Sequence, residues 1–371
     1  MHPSNPATIT VRELSQALAA WAPTSFQETY DNAGLLAGEP ESTVRGVLVS
    51  LDCTEAVVNE AIARGCNVVV SHHPLIFGGL KSLTGANWVE RTLIKALRAG
   101  VALYAIHTNL DNVAHGVNAE LARRIGLQGT QVLSPKTGLL RKLVTFVPAA
   151  QASQVREALW AAGAGTIGNY DRASFTSEGI GTFRPLEGAQ PNIGDLGQTE
   201  AVNEVRVEVI LENHLEKAVL RALFDAHPYE EVAYDLFSLQ NASNQIGSGA
   251  IGNLPGAVEF DAFLQRVKNT FGGGLRYTTS ARAKVQKIAV CGGSGSFLLK
   301  NAVAAGADVL LTADFKYHQF LEADNRIAIV DIGHFESEQF TIPLIADYLR
   351  EKFTNFATLT SETKTNPVNY L

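Results

Sequence analysis

Cysteine is scarce in this sequence, and the three that occur lie inside or beside apolar stretches, at Cys53, Cys66 and Cys291. Three cysteines are too few to cross-link a chain of 371 residues, which excludes a secreted protein held together by disulfides. Free thiols in apolar surroundings fit a reducing compartment. We therefore expect the protein to reside in the cytoplasm.

Long hydrophobic runs are also lacking. No stretch approaches the ~18 consecutive apolar residues that a helix needs to cross a bilayer. The first ten residues are polar, contain two prolines and lack the apolar centre of a signal peptide. We therefore expect neither export nor insertion into a membrane.

An excess of positive charge is the third absence. Lysine and arginine together number 30 against 37 aspartates and glutamates, which gives a formal charge of -7. Such a chain lacks the positive field that attracts a phosphate backbone, so we expect no nucleic-acid partner. Hydrophobic residues at 46% and charged residues at 18% are typical of a globular protein, and the length predicts roughly two or three domains.

The first third of the chain alternates between strand-like and helix-like patterns. A helix is predicted to begin at the capping box formed by Thr10 and Glu13. Beyond a turn-rich loop, short apolar runs alternate with amphipathic segments. The predicted strands cover 46–51, 67–71 and 101–106, and the predicted helices cover 54–64 and 88–98. This alternation predicts a mostly parallel sheet covered by helices.

The same order of elements returns near the end of the chain as an internal repeat. Residues 60–73 align with 301–314, and each segment consists of a helix, a glycine and a strand. The strand at 101–106 aligns in the same way with 327–332. The predicted fold class is therefore α/β, with two related, mostly parallel lobes that form one core.

The region between the lobes has a different pattern. Predicted strands at 144–147, 204–211 and 231–237, β-rich stretches at 166–176 and 179–183, and helices at 152–162 and 214–226 follow one another there. The order β-α-β-β-α-β predicts an inserted ferredoxin-like α+β domain. Both of its junctions, residues 135–138 and 241–249, have the composition of linkers. We expect residues 1–135 and 245–371 to form the core domain and residues 136–244 to form the insertion.

Histidines and carboxylates follow the predicted strands, at the edge of an α/β sheet where ligands bind. His72 and His73 end one strand, and adjacent side chains can approach one site only if the strand stops there, which Pro74 supports. His107 and Asp111 follow the next strand. The alternative is that one histidine of the pair is solvated and that Asp111 caps a helix.

His334 and Glu338 lie four residues apart, so a helix would place them on one face. By itself this spacing is more typical of a surface pair. Nitrogen and oxygen ligands without cysteine favour zinc, ferrous iron, manganese or nickel. The candidate ligands outnumber the four that one tetrahedral ion needs, which indicates a two-metal centre. Such centres activate water, so the indicated reaction class is hydrolysis.

Two further segments flank these residues. Gly292, Gly293 and Ser294 stand between a strand and a helix, where free N–H groups can receive an anion, although a tight connection explains them equally well. Asp314, Lys316 and His318 follow the strand that aligns with the strand ending at His72. We interpret them as residues that contact substrate or support the ligands, with ordinary polarity at a helix start as the alternative.

Five motifs together resemble the GTP cyclohydrolase I type 2 family, also called Ngg-interacting-factor-three-like proteins. The resemblance covers nearly the whole chain, and the insertion is similar to the PII- and CutA-like middle domain of the longer bacterial form. The motifs are Tyr30-Asp31-Asn32-Ala33-Gly34-Leu35, Ser71-His72-His73-Pro74-Leu75, His107-Thr108-Asn109-Leu110-Asp111, Cys291-Gly292-Gly293-Ser294-Gly295 and Gly333-His334-Phe335-Glu336-Ser337-Glu338.

The resemblance implies a dinuclear centre with two divalent ions, zinc, iron or manganese, in a toroidal homohexamer. It places Tyr30, Asp31, Asn32 and His107 beside the centre, as neighbours or substrate contacts rather than as ligands. The ligands it implies are His72, His73, Asp111, His334 and Glu338.

The activity that the resemblance implies is a metal-dependent hydrolysis of a nucleotide-like substrate, with ring opening of GTP as the reaction in the family name. Glu338 is the predicted catalytic residue, as a carboxylate that can also move protons. No motif for guanine recognition is visible in the sequence. The alternative is a non-catalytic metal-binding adaptor or a metal-handling regulatory protein.

Overall fold

A computed structural model of the chain describes residues 8–371. The polar N-terminal segment considered above therefore lies, as far as residues 1–7, outside the described residues. The chain divides into two compact units. The larger comprises the chain up to Ser134 together with Gln245–Leu371, and the smaller comprises Pro135–Asn244. In the described part of the chain, no helix combines the length and apolar character needed to cross a membrane.

The larger unit opens with the predicted helix, whose capping box between Thr10 and Glu13 is formed in the structure. Strands and helices then alternate as far as a long strand that leads out of the unit. These elements are α1 (Val11–Trp21), β1 (Gly34–Ala37), β2 (Gly46–Ser50), α2 (Glu55–Ala63), β3 (Val68–Ser71), α3 (Trp88–Arg98), β4 (Ala102–Ala105), α4 (Thr108–Asp111), α5 (Val117–Arg124) and β5 (Gln128–Pro135).

The smaller unit has the element order β-α-β-β-α-β. Its four strands form one antiparallel sheet in the order β7-β8-β6-β9, and both helices share a hydrophobic core with one face of that sheet. The elements are β6 (Leu140–Pro148), α6 (Ala152–Ala161), β7 (Phe175–Phe183), β8 (Glu200–Glu212), α7 (Glu216–Ala226) and β9 (Tyr234–Ser238).

The β-rich stretch predicted at 166–176 is mostly wrong. Only β7 forms a strand there, and the residues before it make a single isolated bridge between Ile167 and Tyr170. Gly165, Gly168 and Arg172 have positive φ angles, which a strand does not allow. Glycine at two of these positions is the local signal against a strand.

The chain then returns to the larger unit and completes it. Its β10 begins at Gly247, inside the segment predicted as a linker. The elements are β10 (Gly247–Glu259), α8 (Phe260–Phe271), β11 (Arg276–Tyr277), β12 (Lys284–Ser294), α9 (Leu299–Ala304), β13 (Val309–Ala313), α10 (Tyr317–Leu321), β14 (Ala328–Asp331), α11 (His334–Glu338), α12 (Thr341–Lys352) and β15 (Ala357–Thr360).

The two sheets of the larger unit repeat one topology. The first has the order β1-β4-β3-β2-β15 and the second the order β11-β14-β13-β12-β10-β5. In each sheet an antiparallel edge strand, β1 or β11, is followed by three parallel strands, β4-β3-β2 or β14-β13-β12. The sheets differ on the other side, where β15 is parallel to β2 and β10 is antiparallel to β12. The central strands are buried throughout, which explains their continuous apolar sequences. The prediction of an α/β fold with two related lobes is therefore confirmed.

Candidate metal centre

The carboxyl ends of parallel strands from both sheets deliver the candidate ligands. His72 and His73 follow β3 directly, and Asp111 ends the short helix α4 that follows β4. His334 and Glu338 are the first and last residues of α11, which follows β14 in the other sheet. The helix begins at His334, so the spacing of four places both side chains on one face.

Glu338 lies at the centre of the group and is 3% exposed. Its Oε1 lies 3.7 Å from His72 Nε2, which in turn lies 3.7 Å from Asp111 Oδ1. We call His72, Asp111 and Glu338 the buried trio. The ligand atoms of the three lie within 4.8 Å of one another and could hold a metal ion.

The other oxygen of Glu338 faces a second set of ligands. Oε2 lies 2.8 Å from His73 Nε2 and 3.0 Å from His334 Nε2, and the two imidazole nitrogens lie 3.3 Å apart. We call His73, His334 and Glu338 the hydrogen-bonded trio. Its ligand atoms are also close enough to hold a metal ion.

The Nδ1 atom of each of these three histidines contacts an acceptor outside the two trios. His73 Nδ1 lies 2.8 Å from Asp52 Oδ1, His334 Nδ1 lies 2.6 Å from Asp314 Oδ2, and His72 Nδ1 lies 2.8 Å from the carbonyl oxygen of Ile106. Such acceptors hold the proton on Nδ1 and direct the Nε2 lone pair inward. This is the arrangement that metal-binding histidines require.

The residues of the buried trio fit a cation. His72 Nε2 and Asp111 Oδ1 are fully enclosed and have no hydrogen-bond partner among residues 8–371. Burial lowers the pKa of His72, and burial together with the charge of Glu338 raises the pKa of Asp111 well above its ordinary value. A buried nitrogen and a buried oxygen without partners cost free energy, which a shared metal ion would recover.

Charge is balanced differently in the hydrogen-bonded trio. Burial alone would lower the pKa of His73, but hydrogen bonds to Asp52 and Glu338 raise it to about 9. Burial alone would also lower the pKa of His334, but hydrogen bonds to Asp314 and Glu338 raise it to about 11. Burial alone would raise the pKa of Glu338, but hydrogen bonds from the surrounding histidines keep it well below its ordinary value.

His107 lies at the edge of the centre. Its ring is 5.2 Å from that of His72 and 5.4 Å from that of His73, and its ligand nitrogen is close enough to theirs to share an ion. Its Nδ1 contacts Asp31 Oδ1 at 2.8 Å. Burial alone would raise the pKa of Asp31, but the bond to His107 and other hydrogen bonds lower it to about 2. Asp31 therefore fixes the orientation of His107.

The glycine motif packs beneath Glu338 and does not present its N–H groups to a ligand. Gly292 N donates to Asn118 Oδ1 at 3.0 Å, and Gly293 N donates to Ser337 Oγ at 2.9 Å. The anion-binding interpretation is therefore wrong for these two N–H groups. Gly293 has φ 58° and a Cβ there would come within 2.4 Å of Glu338 Oε1, so only glycine lets the carboxylate take this position.

The remaining predicted residues divide into two groups. Asp314 contacts His334. Ser294 and Tyr30 line a cavity that lies beside the trios. Asn32 instead donates its side-chain N–H to the carbonyl oxygen of Ile76. Lys316 and His318 lie at the exposed start of α10, away from the residues that line this cavity.

A cavity of about 470 Å³ opens in front of the trios. Four exposed aromatic side chains stand around it: Tyr30, Phe77, Trp88 and Phe297. Exposed aromatic rings beside polar ligands suit a planar ligand, because its flat face can stack on them.

Sequence reasoning missed two kinds of residue. Asp52 follows β2 at the same sheet edge as the histidines, so its position after a strand was a usable signal. The C-terminal segment 361–371, which we call the tail, gave no such signal. The Thr365 hydroxyl hydrogen-bonds to Asp52, and Asn366 and Tyr370 donate to the two oxygens of Glu336 at 3.1 and 3.2 Å. The tail thus contacts residues from both lobes of the larger unit.

The fold and these groups define an α/β protein of two related lobes with buried histidine and carboxylate groups that could bind a metal. The chain belongs to the Duf34/NIF3 (NGG1p interacting factor 3) family, whose model matches residues 9–367. The predicted family is therefore confirmed.

Named relatives and a solved structure agree with this assignment. The chain is 37% identical over 366 residues to the GTP cyclohydrolase 1 type 2 homolog of Bacillus subtilis (strain 168), with 97% of this chain and 98% of the relative covered. It is 40% identical over 322 residues to the protein of the same name from Halalkalibacterium halodurans, with 86% and 87% covered. A crystal structure of a Bacillus cereus protein related to NIF3 matches with a TM-score of 0.85 at 38% identity, covering 98% of this chain and 100% of that one.

Proposed function

We propose that this protein is a dinuclear-metal-dependent hydrolase of a nucleotide-like substrate. One observation carries the proposal: the two oxygens of Glu338 face two different sets of ligands, Oε1 toward His72 and Oε2 toward His73 and His334. A carboxylate in this position could supply one ligand atom to each of two ions, as in two-metal hydrolases.

Under this proposal each trio holds one divalent ion, and zinc, iron or manganese fits the nitrogen and oxygen donors. Bound ions would supply a water molecule of lowered pKa and positive charge near the reacting atoms. The chain's own residues orient the site. Asp52 holds the proton on Nδ1 of His73, and Asp314 holds the proton on Nδ1 of His334. Glu338, which belongs to both trios, is the proposed catalytic carboxylate.

The proposed substrate is nucleotide-like for two reasons. The aromatic side chains around the cavity, Tyr30, Phe77, Trp88 and Phe297, offer flat faces for a heterocyclic base. The related proteins of Bacillus subtilis and Halalkalibacterium halodurans carry the name GTP cyclohydrolase 1 type 2 homolog. GTP is therefore the first substrate to test.

We also propose a cytoplasmic homohexamer with an inner cavity, as the family resemblance implies. The three free cysteines are all buried, which suits a reducing compartment. Native mass spectrometry tests the assembly, and a mass of six chains is the expected result. A monomer at micromolar concentration contradicts this part of the proposal.

The experiment that tests the function measures metal content and turnover on the same samples. The protein is purified without chelator or nickel resin, beside His73→Ala and Asp111→Ala variants. We expect about two ions per chain in the parent, fewer in each variant, and metal-dependent hydrolysis of GTP or another nucleotide. Fully loaded protein that hydrolyses no nucleotide favours the metal-binding adaptor instead.

A further inference from the structure

The smaller unit contains a cavity of about 670 Å³ that is separate from the candidate metal centre. It lies on the face of the antiparallel sheet that the helices leave open. Val207, Val209 and Leu211 of β8 pack with α6 and α7, so the alternate residues Glu204 and Arg206 point to the opposite face. The volume is typical of a small-molecule site.

Glycines form the floor of this cavity. Gly179 and Gly181 of β7 pair with β8 beside Glu204, and without side chains they leave a flat surface. At Gly181, a Cβ would come within 1.9 Å of Glu204 Oε2, so glycine is required for the carboxylate to lie there. Phe146 and Phe183 add aromatic rings to the lining.

Glu204 is a carboxylate held almost entirely out of water, with 9% of its surface exposed. Its Oε1 accepts a hydrogen bond of 2.9 Å from the Tyr229 hydroxyl. Its Oε2 lies over the glycine floor and receives no hydrogen bond from residues 8–371. This oxygen faces the cavity with unused acceptor capacity, so a ligand in the cavity can donate a hydrogen bond to it.

The partner that fixes Glu204 is itself rigid. The Tyr229 N–H donates to His227 Nδ1 at 3.1 Å, and the Tyr229 ring packs edge-on against Phe183 with centroids 5.7 Å apart. The loop that covers the cavity is fixed by a hydrogen bond from Gln190 N to Glu230 Oε1 at 2.8 Å. The acceptor is therefore preorganised for a ligand.

We propose that this cavity binds a planar heterocycle bearing an amino group, whose N–H donors bond to Glu204 while its ring lies on the glycine floor against Phe146 and Tyr229. A metal ion fits less well, because a single buried carboxylate supplies too few ligands. A purely apolar ligand would offer no donor to Glu204 Oε2. The inference does not depend on the metal centre, because every residue it uses belongs to the smaller unit.

The test is calorimetric titration of the whole, chelator-treated protein with guanosine, adenosine and cytidine. We expect at least one of these to bind once per chain, and Glu204→Gln to weaken that binding tenfold or more. Glu178→Gln, which changes an exposed carboxylate of β7 that pairs with Val205 and points to the other face of the sheet, should alter it less than twofold. Ser177→Leu fills the cavity from the exposed face of β7 and should also abolish binding, which covers the case in which Glu204→Gln does not fold.

Three outcomes would overturn the proposal. None of the three nucleosides binds at millimolar concentration, or folded Glu204→Gln binds as tightly as the parent, or binding disappears in Asp111→Ala and persists in Ser177→Leu. The last result would assign the ligand to the metal-centre cavity. Because the ions are removed throughout, failure of the hydrolase proposal would leave this test unaffected.

Discussion

The two trios share Glu338 but differ in how their polar atoms are satisfied. In the hydrogen-bonded trio, the histidines contact Glu338 at 2.8 and 3.0 Å and are oriented by two aspartates, and the His334 side chain is 40% exposed. In the buried trio, the side chain of His72 is 0% exposed, its distances to both carboxylates are 3.7 Å, and its orienting partner is a backbone carbonyl.

A bound cation therefore matters more to one trio than to the other. The hydrogen-bonded trio can satisfy its atoms with protons, because its histidine pKa values are raised to about 9 and about 11. The buried trio cannot, because burial lowers the pKa of His72 and its Nε2 finds no hydrogen-bond partner in the described part of the chain. We expect the buried trio to bind its ion more tightly, and the following predictions test that comparison.

The largest effect is expected from Glu338→Ala, which removes a ligand from both trios at once. Metal content should fall from about two ions per chain to nearly none, with loss of any metal-dependent activity. Elemental mass spectrometry measures the content. Glu336→Gln on the same helix is the matched control and should keep both ions. Two ions retained in Glu338→Ala would show that this carboxylate is not the bridge.

Asp111→Ala and His334→Ala separate the trios. Each variant should keep about one ion per chain, because each loses a ligand of one trio only. The ion that remains in His334→Ala should resist a chelator longer than the ion that remains in Asp111→Ala, since the buried trio lies farther from solvent. Equal chelator resistance in the two variants would contradict the comparison.

Asp52→Asn should weaken only the hydrogen-bonded trio. Replacing an acceptor that orients a metal-binding histidine typically costs about 10–100-fold in metal affinity. Competition with a chelating dye should therefore show one weakened ion and one unchanged ion per chain. Glu55→Gln, a surface carboxylate nearby in the sequence, serves as the control. A loss spread equally over both ions would mean that Asp52 acts on the whole fold.

Thr365→Val tests the tail with a smaller effect. The change removes the hydroxyl that bonds to the Asp52 carboxylate, and a hydrogen bond to a charged group contributes about 1.5–3 kcal/mol. Because Asp52 keeps its contact with His73, only part of that free energy reaches the ligand, and the affinity of the hydrogen-bonded trio should fall by about threefold to tenfold. Thr365→Ser keeps the hydroxyl and should restore the parent affinity. No difference between valine and serine would remove the tail from the account.

Glu60→Gln should give the smallest effect on metal and a measurable effect on stability. Burial alone would raise the pKa of Glu60, but hydrogen bonds from Thr363, Glu362 and Ser361 at the start of the tail lower it to about 2 from an ordinary 4.5. The lowered pKa stabilises the folded protein above pH 4.5, and this stabilisation is lost as the pH falls toward 2.

The free energy of unfolding should therefore drop by about 1 kcal/mol in Glu60→Gln at pH 7, and the parent and variant should converge near pH 2. Denaturant titrations at several pH values measure the difference. Glu362→Gln, whose side chain is 85% exposed, should match the parent at every pH. A constant difference from pH 7 to pH 2 would mean that the ionised carboxylate is not what anchors the tail.

The two lobes and the proximity of the histidines can be predicted from the sequence, because both depend on local signals. Buried strands have continuous apolar sequences, and the polar residues that follow them must lie at one sheet edge. The pair His72-His73 and the spacing of His334 and Glu338 are visible in this way. Asp52 carries the same signal after β2 and could have been found.

What the sequence does not reveal depends on contacts between distant segments. The N–H groups of Gly292 and Gly293 are taken by Asn118 and Ser337, which no local pattern indicates. The tail contacts Asp52 and Glu336, two residues that belong to different lobes, and Asp52 is far from the tail in sequence. The division of Glu338 between two trios is also a property of the folded site, because a spacing of four fixes a helix face and not the direction of each oxygen.

The most direct test of the proposed two-metal centre is anomalous X-ray diffraction from crystals of the protein loaded with zinc. The account predicts two peaks per chain, ~3.5–4 Å apart, one within bonding distance of His72 and Asp111 and the other of His73 and His334, with Glu338 between them. A single peak, or two peaks that Glu338 does not contact, would contradict it.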